Sequence, residues 1–488
     1  MTADFTIRNA TVIDGSGSPA FLADVSIEGD RISAVGDGQP AQVEIDAEGL
    51  VLTPGFIDTH SHDDGAFIRY PGMEFKLAQG VTTDISGNCG FSAAPNVPGE
   101  QPASGGALRF PGPWRDLAEY FAECEARRPA INNMMLAGHN TIRGWVMGNE
   151  QREPDAAEMA KMRAFVEQAM EQGACGFSTG LIYEPGRYSQ TAEVVELASI
   201  AGRHGGLYAT HMRNEGDQLL DAVEETLEIG KQAGCPVHIS HHKAAGRKNW
   251  GRCAESLERV DRAVADGQDV TLDVYPYVAG SGPMHQYFDL DDINLELAEA
   301  IRIASCPDHR EWEGRMLTDI AADEGIALDE AVRRAITGPK GAETICIQFT
   351  MDEQDVETNL RHPRVMIGSD GIPNLNGSPH PRLFGTFPRV LGHYVRERGV
   401  TTLEDAVRRM TSLPAERFGV PARGLVREGL IADLVLFDPA SIRDLATWDD
   451  PRREPEGITA VFVSGQLAYD QGKHTGAGAG KMLRYRTG

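Results

Sequence analysis

His60 and His62 stand one residue apart at the end of an apolar run, "GFIDTHSHDD" (residues 55–64), and two acids follow them. Residues i and i+2 of a strand point to the same side, so a strand through this run aims both imidazoles at one point. Similar endings recur downstream. Cys89 lies in "GNCG" after a run that starts at Val81, and His211 follows a run from Leu207. His241, His242 and Lys243 close a run from Pro236, and Asp370 closes one from Arg364. Neutral imidazole, thiolate and carboxylate are the ligands of zinc, whose catalytic sites keep one position open for water. Water bound there has a pKa of about 7, so hydroxide is available at neutral pH. The chemistry these residues point to is hydrolysis, with Asp370 able to take a proton from water and return it to a leaving group.

These residues need elements that bring distant segments to one rim. Eight short apolar runs do so: "VLTPGFIDTH", "VTTDISGN", "NMMLAGH", "ACGFSTGL", "LYATHMR", "PVHISHH", "VTLDVYPY" and "RVMIGSD". Between many of them lie amphipathic helices. In "DAAEMAKMRAFVEQAMEQG", Met159, Met162, Phe165, Val166, Ala169 and Met170 fall on one stripe before a glycine stop. Eight strands alternating with helices are the count of an α/β fold, the (β/α)8 TIM barrel, whose chemistry sits at the C-terminal strand ends. In such strands His238 and His242 face away from His241 and have a structural role. His139 ends the third run and is expected beside the site as a supporting group, and Cys175 is expected in the core.

The two ends of the chain have another texture. "FTIRNATVIDGSG" and "DVSIEGDRISAVG" alternate and turn, as do "GLIADLVLFDP" and "ITAVFVSGQLAYDQG" near the other terminus. Residues 1–54 and 414–488 are therefore expected to form one small β-sandwich domain, with the barrel at 55–413. An inserted segment, 282–345, separates the seventh run from the eighth. It holds helix-like "ELAEAIRIA" and "LDEAVRRAI" but no evident strand pair, and is placed to cover the pocket. A net charge of −26 over 488 residues argues against nucleic acid and anionic membrane as partners. No apolar stretch is long enough for a membrane helix, and the start lacks a secretion signal. Seven scattered cysteines suit the cytoplasm better than a disulfide framework.

Taken together, "PGFIDTHSHDD", "GNCGFS", "STGLIYEPG", "THMRNEGD", "HISHHK", "DVYPY", "GSDG" and "PHPRLFGTFPRVLG" resemble the D-aminoacylase (N-acyl-D-amino-acid deacylase) branch of the amidohydrolase superfamily. The likeness spans nearly the whole chain in the family's order. It implies zinc-dependent hydrolysis of N-acyl-D-amino acids to a carboxylate and a free D-amino acid. It also implies one tightly bound zinc on Cys89, His211 and His241, and room for a second, weaker metal on His60 and His62. Asp370 would meet the metal and act as acid and base. Tyr183, Lys243, Tyr275, Ser281 and Arg382 would hold the substrate carboxylate. The fourth run carries no lysine to bridge two metals, which fits the cysteine variant and argues against a hydantoinase or dihydroorotase. "GSGPMHQYFDLDDIN" offers no clear basic residue, so neutral or apolar D-amino acids are expected. The partner is then a small molecule, and the oligomeric state stays open. The rival readings are the same chemistry on another amide and a non-catalytic barrel, the second disfavoured because every expected ligand is present.

Overall fold

Parallel strands form at all eight runs, each ending where the polar residues begin. They are Phe56–Asp58, Val81–Ser86, Asn132–Met135 continued by Ala137–Gly138, Gly176–Gly180, Leu207–His211, Val237–Ile239, Val270–Val274 and Val365–Ile367. The computed structural model describes residues 2–97, 108 and 110–485. Each strand pairs in parallel with the next in the order given. Backbone bonds also join the turns that follow the last strand and the first: Asp370 N donates to His60 O at 2.7 Å and His62 N to Gly371 O at 3.0 Å. Strands buried on both faces need continuous apolar sequence. Ile57, Ile85, Leu136, Leu207, Ala209 and Met366 accordingly meet in one apolar cluster.

The helices follow from their caps and stripes. Asp155 starts Ala156–Glu171 with a reciprocal capping box to Glu158, and Met162, Val166 and Met170 are its buried stripe. Leu219–Ala233 ends on Gly234 in the left-handed region, a position that favours glycine. Cys253–Ala265 follows the sixth strand in the same way.

Both termini enter one nine-stranded sheet. Its seam is Val51–Pro54 against Leu434–Phe437, antiparallel, so the two ends of the sequence are hydrogen-bonded neighbours. Ile7, Val25, Ile27, Leu52, Leu434 and Phe462 fill a core of its own. The C-terminal stretch then leaves the sheet. Leu483 and Phe418 join the cluster of Ile57 and Ile85, so parts of 414–488 pack against the parallel strands.

The inserted segment differs from expectation. "ELAEAIRIA" splits into a short helix, Leu295–Glu299, and a strand, Ile301–Ser305. That strand pairs antiparallel with Ile345–Gln348, which also pairs with Gly280–Pro283. The partner strands lie tens of residues apart, a pairing that local periodicity does not reveal. Leu328–Thr337 is helical as read.

Met162 is fully buried in the main apolar cluster. Met162→Ala is expected to cost about 2–5 kcal/mol through lost burial and the cavity left behind. Urea unfolding checks this; a change below about 0.5 kcal/mol would mean that this helix is not seated as described.

Candidate metal centre and active site

The first strand stops at Asp58, so strand alternation does not orient His60 and His62 as expected. The turn beyond it does, pinned by its backbone bonds to Asp370 and Gly371. Their ring centroids lie 5.6 Å apart. Cys89 follows the second strand in the left-handed region, φ 53°, and His241 (φ 35°) and Asp370 (φ 50°) share that conformation. Such backbones cost on the order of 1–3 kcal/mol each and persist where the surroundings impose them, often at functional sites. The neighbouring Gly90 has no room for a side chain: a Cβ there would lie 2.1 Å from Asn140 Oδ1. His211 is the last residue of the fifth strand.

Four segments meet around the sulfur. Cys89 Sγ lies 3.4 Å from His60 Nε2, 3.4 Å from His241 Nε2 and 3.7 Å from His211 Nδ1. A tetrahedral zinc with bonds of about 2.0–2.3 Å keeps its donors about 3.3–3.8 Å apart. The donor types and spacings therefore fit such an ion. His60 belongs to two groups of close donors, one with Cys89 and His241 and one with His62 and Asp370. Asp370 Oδ1 lies 3.2 Å from His62 Nε2 and 3.6 Å from His60 Nε2. Burial alone would raise the Cys89 thiol, but the imidazoles of His60 and His241 hold it well below the usual thiol range. Burial likewise pushes the Asp370 carboxyl up, and Arg382 and His62 overcome it, so the group stays ionised.

The five residues expected to face a substrate carboxylate line the same rim. Arg382 is fully buried; its Nη1 lies 3.0 Å from Asp370 Oδ2 and its Nη2 donates to Ser281 O at 3.2 Å. Its Nε has no hydrogen-bond partner among the described residues. The Tyr275 ring lies 4.5 Å from the Arg382 guanidinium and 5.6 Å from Lys243 Nζ. Tyr183 stands edge-on to the His211 ring at 4.7 Å, and its hydroxyl lies 2.9 Å from that of Tyr287 in the inserted segment.

Several site residues escaped the sequence reading. Asp273 Oδ2 lies 3.3 Å from His60 Nδ1 and 2.7 Å from His238 Nε2, and Oδ1 accepts from His241 N at 2.8 Å. Glu215 lies 3.0 Å from His241 Nδ1 and 2.6 Å from Lys243 Nζ. Lys76 is enclosed by Asp58, by Asp63 at 2.8 Å and by Asp84 at 3.2 Å, directly below the His60–His62 turn. Burial outweighs the pull of Lys76 and raises the Asp84 carboxyl above its ordinary range. The available signal was a charged residue inside an apolar strand, as in "VTTDIS" and "VTLDV". His139 is turned to Glu193, its Nε2 2.8 Å from a carboxylate that also pairs with Arg143. A helix, His139–Met147, starts at this residue. His238 bonds Asp273, and His242 bonds Asn359 and Ser256. Cys175 is a core residue, its thiol pushed up to about 12 by burial.

Comparison with known proteins defines the class. The sequence model of the amidohydrolase family matches residues 43–305 and 321–469, and the chain belongs to that family. Within it the chain groups with the D-aminoacylases, which are hydrolases. It is 43% identical to D-aminoacylase of Alcaligenes xylosoxydans xylosoxydans over 98% of this chain and 97% of that one. It is 44% identical to N-acyl-D-glutamate deacylase of the same organism, over 96% and 94%. Among solved structures, N-acyl-D-glutamate deacylase of Bordetella bronchiseptica, complexed with zinc and a phosphonate inhibitor that mimics the tetrahedral intermediate, aligns with a TM-score of 0.92. That match has 42% identity and covers 99% of this chain and 100% of that one. The fold is therefore the TIM-barrel type of the amidohydrolases.

Lys76 neutralises carboxylates that have no water to turn to. Lys76→Met is expected to destabilise the chain by about 3–5 kcal/mol, because it leaves buried acids without their cation. Denaturant unfolding measures this, and an unchanged midpoint would show that the acids need no partner.

Proposed function

We propose that this chain hydrolyses N-acyl-D-amino acids to a carboxylic acid and a free D-amino acid at a zinc held by Cys89, His211 and His241. His60 and His62, with Asp370, offer a second metal position. The observation that carries this reading is the approach of three imidazole nitrogens to one depressed thiol at 3.4–3.7 Å. A metal held by Cys89, His211 and His241 would supply polarisation of the acyl carbonyl, a more acidic water and stabilisation of oxyanion charge.

The protein's own groups supply the rest. Asp370 is ionised, with Oδ2 on Arg382 and Oδ1 turned to the imidazole pair. It takes one proton from the attacking water as the new C–O bond forms at the acyl carbon. It returns that proton to the amide nitrogen as the C–N bond breaks, so it ends as it began. Arg382 and Lys243 pair with the substrate α-carboxylate, while Tyr183, Tyr275 and Ser281 orient it. The unpartnered, buried Arg382 Nε supports a role in receiving an anion. Holding the carboxylate, the carbonyl and the side chain at three separate places distinguishes one hand from the other.

Side-chain preference follows from the surroundings. Phe91, Ile182 and Tyr287 cluster with Cys89 and Tyr183, and residues 280–294 contain no lysine or arginine. This supports neutral or apolar D-amino acids. For the architecture we infer that the eight parallel strands close as a barrel over 55–413, with 282–345 beside the active site. The shared terminal sheet, 1–54 with 414–488, folds as a β-sandwich around its own core. Among the described residues no helix is long and apolar enough to cross a membrane, and the seven cysteines are free. The free thiols support a cytoplasmic setting.

Asp370→Asn should keep its zinc and lose turnover by about 10²–10⁴-fold, read by metal analysis beside rates on N-acetyl-D-amino acids. Near-normal rates would exclude Asp370 as the proton carrier. In the unsubstituted protein, chelation should abolish activity and zinc restore it. Matched N-acetyl-D-, N-acetyl-L- and cyclic-amide substrates should single out the linear D-series; a preference for the cyclic amide would favour the rival on the same barrel.

A further inference from the structure

We propose that Glu215 is a positioning residue that ties the metal-holding imidazoles to the ammonium receiving the substrate carboxylate. The proposal rests on the roles given above to Cys89, His211, His241 and Lys243. Glu215 lies four residues beyond His211 and is buried. Its Oε1 is 3.0 Å from His241 Nδ1 and 2.6 Å from Lys243 Nζ, and its Oε2 is 3.4 Å from His211 Nε2. The opposite nitrogens of the same two rings, His241 Nε2 and His211 Nδ1, are those that approach Cys89 Sγ. Each imidazole is thus held between a carboxylate on one side and the thiol on the other. A carboxylate that holds one ring N–H fixes the tautomer and presents the lone pair of the other nitrogen.

Glu215, His211 and His241 also lie close enough to be read as a metal trio themselves. Lys243 argues against that. Its ammonium is 2.8 Å from His241 Nδ1 and 2.6 Å from Glu215 Oε1, so positive charge already fills that side of the rings. A metal cation belongs on the Cys89 side, and Glu215 supports it from behind. One buried carboxylate thus lies 2.6–3.4 Å from three nitrogens on two segments. Glutamine in its place has a single acceptor oxygen and two donor hydrogens, so it cannot satisfy all three. Metal retention and carboxylate recognition should weaken together.

Zinc affinity of metal-free protein, measured by competition with a chromophoric chelator, tests this in the unsubstituted chain, Glu215→Gln and Glu193→Gln. Glu193 is a buried glutamate bonded to His139 and Arg143 and belongs to none of the close donor groups among the described residues. Glu215→Gln is expected to bind zinc about 10–100-fold more weakly and to raise KM more than it lowers kcat. Glu193→Gln is expected to bind zinc as the unsubstituted chain does. A zinc-loaded crystal of the unsubstituted protein should show His211 Nδ1 and His241 Nε2 on the ion and Glu215 off it. Unchanged zinc affinity in Glu215→Gln, or Glu215 bound to the zinc, overturns the inference and leaves the proposed function standing. Failure of the unsubstituted chain to take up zinc overturns both.

Discussion

The site depends on electron-rich donors forced together where water cannot reach them. A thiol with three imidazole nitrogens within 3.7 Å of its sulfur, all buried, is a poor arrangement without a cation at its centre. Each is desolvated, and the ring nitrogens turned to the sulfur have their outer partners, Asp273 and Glu215, on the other side of the ring. The depressed thiol of Cys89 expresses that crowding. The left-handed backbones of Cys89, His241 and Asp370 express it again, in the conformational cost of aiming those groups inward.

Around that centre the protein places a second ring of buried acids, each with a task set by its neighbours. Asp273 holds His60 and His238 and bonds the backbone of His241. The acids about Lys76 tie the end of the first strand to the second, and Ser369 of the eighth-strand turn also accepts from Lys76 at 3.2 Å. Isolated buried charges would be costly, but here every acid of the ring has a cationic or N–H partner. The overall charge of −26 therefore says little about the site, where cations and acids alternate at contact distance.

The inserted segment reaches this interior. The three-stranded sheet it shares with the chain just before it carries Ser281, whose carbonyl accepts from Arg382, and its Tyr287 meets Tyr183. The wall over the metal cluster is therefore built partly by a piece of chain outside the eight parallel strands.

Much of this was legible in the residues themselves. Polar groups at the ends of apolar runs announced His60, Cys89, His211, His241 and Asp370, because barrel strands otherwise carry apolar side chains. The helix stripes and the turn-rich termini were equally readable, since both are local periodicities. Contacts between segments far apart in the chain were not. His139 ends a run as His211 does, yet a helix begins there and its ring is turned to Glu193. Glu215 and Asp273 looked like ordinary acids until folding set them behind the imidazoles, and Ile301–Ser305 pairs with residues some forty positions on. Sequence by itself determined the donor types, the strand count and the segments that carry them. Tertiary structure alone decided which nitrogen faces the sulfur, which acid faces which ring, and what closes over them, because those depend on distances between segments that share no local pattern.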